Sequence, residues 1–180
     1  MNETKQKIVK TSKVVAIVLK ISFIMVAIGI GVLLLGIIIL SLSKSGIADS
    51  LVQPFLTTEH GVSAIIIATD NLIWAFSSAI VVLITTFMVL FTLHRLFANI
   101  SQEPSPFTEI NVKIMKRVAI WTVITCVVDC LANGISAKLL TGETTFTLEF
   151  IWLVVAAAIY GIALIFDYGT QLQQQSDETL

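Results

Sequence analysis

The chain has 180 residues, of which 56% are hydrophobic and only 13% are charged, and its formal net charge is -1. With a mean hydropathy of +0.94, it carries about half the charge of an ordinary soluble domain, and a single soluble core of this size could not hide so much apolar surface. The composition therefore excludes a soluble globular domain, and the lack of an extended basic surface argues against direct nucleic-acid binding.

The first element is a basic N-terminal segment, MNETKQKIVKTSK, running into apolar sequence. It starts like a secretory signal. The uncharged run Ile21 to Ser43, however, exceeds the ~7–15 residues of a signal core and is long enough to span a bilayer. It is expected to be a retained first helix. With it the chain has four expected spans, at about 20–42, 71–93, 118–137 and 150–166. Each is long enough for a ~30 Å hydrocarbon core at ~1.5 Å per residue, and backbone groups in lipid must be satisfied within the segment, which makes them helices. The expected fold is an all-α, four-helix membrane bundle forming one domain over 1–180.

Charge sets the expected orientation. Lys5, Lys7, Lys10 and Lys13 precede span one, and Arg95, Lys113, Lys116 and Arg117 lie in the middle loop, 94–117. The outer loops, 43–70 and 138–149, contribute only Lys44 and Lys138. The positive-inside rule then puts both termini and the middle loop in the cytoplasm, with Trp74, Trp121 and Trp152 near the starts of spans at interface depth. The first outer loop contains an apolar run, Val62 to Ala68, expected as an interfacial helix or an outward extension of span two.

In the middle loop, Pro104 and Pro106 stop the helix of span two. Thr108 is a natural N-cap, with Glu109 at the positive end of the helix dipole. Phe107 and Val112 have the spacing of a hydrophobic staple. This segment reads either as a well-built helix start with basic anchors or as a docking site for a cytoplasmic partner.

Two stretches, LFANISQEPSPFTEINVKIMKRVA in this loop and IFDYGTQLQQQSDETL at the C-terminus, resemble the signatures of a bacterial membrane family known as domain of unknown function 2975 (DUF2975). The matching tail positions are Phe166, Gly169, Leu172, Gln173, Asp177, Thr179 and Leu180. Family members often carry glutamates where this chain has Gln174 and Gln175, so the tail is less acidic here. The resemblance implies a four-span protein of the bacterial cell membrane without an assigned activity. It also implies a transcriptional regulator of the helix-turn-helix class as cytoplasmic partner. The expected contact residues are Pro106, Phe107, Thr108, Asn111, Lys113, Arg117, Gly169 and Leu172.

Within the spans, Asp129 is the most costly residue, about 17 Å along span three from Val118. Thr122, Cys126, Asp129, Asn133 and Ser136 follow a 4-3-4-3 spacing that lines them up on one helix face, bordered by Thr125. Such a stripe is interhelical glue, an oligomer contact, or a proton or solute path that uses Asp129. Lys20 is expected to snorkel to the inner headgroups rather than pair with Asp129. Cys126 and Cys130 read as small core residues, because His60 and His94 fall on opposite sides of the membrane. Ala27-x-x-x-Gly31 and Ala157-x-x-x-Gly161 are small-residue spacings that allow close helix approach. No cofactor, metal or catalytic constellation is expected. The leading reading is non-enzymatic, a membrane sensor or anchor. Alternatives are a proton- or solute-coupled transporter, and an accessory or immunity protein that meets membrane-active peptides through Ser45 to Asp70.

Overall fold

The structure, a computed structural model, describes residues 3–43, 69–102, 107–143 and 146–178. Among these, all regular structure is helical: α1 (Glu3–Ser43), α2 (Thr69–Gln102), α3 (Glu109–Thr141) and α4 (Phe150–Glu178). The helices have 41, 34, 33 and 29 residues, or roughly 44 to 62 Å at 1.5 Å per residue. All four are long and apolar enough to cross a membrane. Each overruns its apolar stretch, chiefly toward the end that carries Lys13, Arg95, Lys116 and Arg117, hereafter the basic end. The first outer loop, with its apolar run Val62 to Ala68, lies outside the described residues.

The surface has the character of a lipid-facing one. Large side chains stay exposed along α1 (Ile17, Ile21, Met25, Ile28, Val32, Leu35) and along α4 (Phe150, Ile151, Val154, Ile165). An apolar helix that buries so little of itself inside the chain needs an apolar solvent. The four helices are thus compatible with a multi-pass membrane protein.

The expected bundle takes the form of an open row. Close backbone packing joins α1 to α2, α2 to α3 and α3 to α4, each pair antiparallel, whereas α1 makes no such approach to α3 or α4, nor does α2 to α4. Both described chain ends and the α2–α3 connection therefore lie at the basic end. Phe23 of α1 sits edge-on to Phe87 and Phe91, with ring centroids 5.6 and 5.9 Å away, a favoured aromatic geometry. His94 Nδ1 lies 2.9 Å from the Ala16 carbonyl. Between α2 and α3, Asn71 donates to the Leu139 carbonyl at 2.7 Å, and Ser78 and Ser136 share a 2.7 Å hydrogen bond. The core proper is at the basic end, where Leu96, Ile114, Met115 and Ala163 meet, flanked by Leu93, Ile100 and Phe166.

α3 ends as its sequence requires. Gly142 takes the left-handed conformation, φ 77°, and its N–H donates to Lys138 O, a position suited to a residue without Cβ. The chain then runs back along α3. Phe146 packs its ring over Gly134, where a Cβ would collide with it, and the Glu149 carbonyl lies 3.7 Å from Cys126 Sγ. α4 consequently begins beside the middle of α3. Fifteen residues of α3, about 22 Å, continue past that level to Thr141.

A basic-end clasp and an acidic cleft as candidate functional sites

Thr108 caps α3 as expected: its backbone is extended, and its Oγ1 accepts from Asn111 N at 3.3 Å. The capping threonine leaves Phe107 outside the helix, and its ring goes to α4 rather than forming a staple defined by Val112 alone. It lies 5.0 Å from the Phe166 ring and covers Gly169, where a Cβ would come within 3.0 Å of it. Two turns into α3, Lys116 Nζ meets Asp167 Oδ2 at 2.7 Å. Glu109 reaches both Lys113, at 3.3 Å, and Gln174, at 3.5 Å. These contacts clasp the start of α3 to the C-terminal half of α4.

The clasp sorts the residues expected to contact a partner. Asn111 is only 1% exposed, so it belongs to the packing of α3 and not to an accessible surface of this chain. Thr108 is occupied as the cap, and Gly169 lies under Phe107. Lys113 and Arg117 are exposed. Phe107 and Leu172 keep 41% and 47% of their surface. Pro106 is outside the described residues. The two stretches that carry the family resemblance are thus brought into contact, through Phe107, Phe166 and Gly169.

The polar stripe of α3 divides. Ser136 acts as interhelical glue through Ser78. Thr122, Cys126 and Asp129, with bordering Thr125, face a cleft of about 490 Å³ between α2 and α4. Asn133 is exposed and donates to Asp129 Oδ2 at 3.1 Å. Thr122 and Thr125 return their hydroxyls to the carbonyls of Val118 and Trp121, as helical threonines do when no interhelical acceptor is in reach. The basic-end part of the cleft is apolar, walled by Leu90, Leu93, Val118 and Ile159. The opposite part holds Asp129, Glu149 and Trp152.

Glu149 is the functional candidate that sequence reasoning missed. It stands in the connection before span four and looks like a loop residue. The return of the chain along α3 brings it to the cleft, where its carboxylate accepts from Trp152 Nε1 at 2.8 Å. The spacing of three between Glu149 and Trp152 was the available signal. Cys126 and Cys130 are both free. Among the described residues no group of three or more metal-binding side chains assembles. Lys20 stands on α1, which packs on α2 alone, one helix away from Asp129. Among the described residues the glycines of the small-residue spacings meet no neighbouring helix: a Cβ at Gly31 or Gly161 would find nothing within 4 Å. No family model, curated protein or solved structure matches this chain.

Proposed function

We propose that the protein is a non-enzymatic, multi-pass anchor of the bacterial cell membrane that holds a cytoplasmic partner at its basic end. The observation that supports this reading most is the clasp. Phe107 on Phe166 and Gly169, with Lys116 on Asp167, ties α3 and α4 into one unit. Around it Lys113, Arg117 and Leu172 are left exposed. A rigid platform with exposed cations and an aliphatic anchor suits an acidic protein surface. The DUF2975 resemblance of these same stretches makes a helix-turn-helix regulator the partner of choice. In-cell photo-crosslinking from position 172, followed by mass spectrometry, tests it. One dominant DNA-binding protein is expected, and Lys113→Glu with Arg117→Glu should abolish its capture without altering membrane insertion. Only self-crosslinks or lipid, or capture that survives both substitutions, would overturn the reading.

A second reading, proton- or solute-coupled transport, draws on the cleft beside Asp129. It requires a flux in proteoliposomes that Asp129→Asn removes.

A further inference from the structure

We propose that the cleft between α2 and α4 binds a lipophilic cation: a molecule with an apolar body and a single positive charge. The inference is independent of the partner reading, since the cleft and the exposed cations of the clasp lie on different parts of α3.

Three observations carry it. The first is size: about 490 Å³ falls within the roughly 300–1,000 Å³ of small-molecule sites, and the lining is mainly aliphatic with a few convergent polar groups, as such sites are. The second is charge. Asp129 and Glu149 both line the cleft, and among the described residues no basic one does. Among the described residues neither carboxylate has a cationic partner; Asn133 and Trp152, both neutral, are their donors. Cys126, beside Glu149, is nine residues from Arg117, about 14 Å along α3. That level falls within the apolar stretch of α3, 118–137, where a carboxylate without a counter-charge is costly; Trp152, expected at interface depth, stands level with this stretch instead.

The third is polarity along the cleft. The apolar wall of Leu90, Leu93, Val118 and Ile159 lies toward the basic end, and the carboxylates with Trp152 lie at the other. An amphipathic cation matches both ends at once. Its body fills the aliphatic part, and its charge meets the carboxylates beside an indole ring that favours cations through its face. An acyl chain alone would leave both carboxylates without a counter-charge.

The test uses the full-length protein in phosphatidylcholine nanodiscs with radiolabelled tetraphenylphosphonium, empty discs being subtracted. Its anionic isostere, tetraphenylborate, is run alongside. Saturable binding of the cation alone is expected, falling about tenfold or more when Asp129→Asn and Glu149→Gln are combined. These near-isosteric changes preserve shape. Val89→Trp, which fills the cleft and leaves both acids in place, should also remove binding. No saturable binding of the cation would overturn the proposal. Equal binding of both ions, as expected of a lipid-filled groove, or affinity unchanged in the double variant would do the same. The charge comparison in the unaltered protein keeps the test decisive should either variant fail to fold.

Discussion

The two halves of α3 have the same length and similar apolar character, yet they do opposite things. In the basic-end half, Asn111, Val112, Ile114, Met115, Val118 and Ala119 are all buried, a continuous helix face covered by α2, α4 and the clasp, while Ile110 and Ile120 on the other side stay exposed. Past Cys126 buried positions are spaced apart, and between these two regions lies the cleft, lined on α3 by Val118, Thr122, Thr125, Cys126 and Asp129. Tight packing on several sides gives one well-defined arrangement. A helix packed on one side leaves room for a ligand at the expense of interhelical contacts. Burial thins out where α4 begins, and the cleft lies beside the first turns of α4, next to Trp152, Val155 and Ile159.

The largest disruption should come from enlarging Ala163, which is fully buried against Leu96, Ile114 and Met115. Ala163→Leu is expected to cost about 1–3 kcal/mol through overpacking, measured by reversible unfolding in mixed micelles. The matching change beside the cleft, Val155→Phe, should cost far less; equal costs would erase the distinction between packed core and cleft. Next comes the cap: Thr108→Ala removes the acceptor for Asn111 N and should cost about 1 kcal/mol, read out as faster amide exchange over the first turn of α3.

Ser136→Ala removes the hydrogen bond to Ser78 and should cost roughly 0.6 kcal/mol, the average for interhelical hydrogen bonds in membranes. A double-mutant cycle with Ser78→Ala isolates that coupling. The smallest effect is expected from Gly31→Ala and Gly161→Ala, because both sites have open space around them. Stability and self-association should be unchanged by sedimentation in detergent. A shift toward monomer would show that a second copy covers these faces.

Much of the architecture was legible in the sequence because lipid forces each apolar run to be a helix, and because Thr108, Glu109 and the prolines before them carry helix-start chemistry. The relative register of the helices was not legible. In a soluble protein an amphipathic stripe tells which face turns inward. Here the spanning part of α1 is apolar on every side, and little along Ile21 to Leu42 marks its contact with α2 beyond Phe23 and Gly36, against which the Phe76 ring packs.

The same gap hid the role of Phe107, whose spacing to Val112 mimics a local staple although its ring packs on Phe166. It also hid Glu149, which reaches Asp129's cleft only because the chain doubles back past Gly134. The polar stripe was correctly placed on one helix face. Its division between Ser136, which meets Ser78, and Asp129, which meets a cavity, depends on how far α4 extends.

The late start of α4 also shapes the bilayer around the molecule. Beside α1 the surrounding lipid meets a helix of full height. Beside α4 it meets, among the described residues, a step, with the exposed rings of Phe146 and Phe150 where α4 begins. Lipid at that step lies level with the carboxylate end of the cleft. Among the described residues nothing on that side separates the cleft from the surroundings of the step, so in a bilayer the route to Asp129 and Glu149 would be sideways, through lipid.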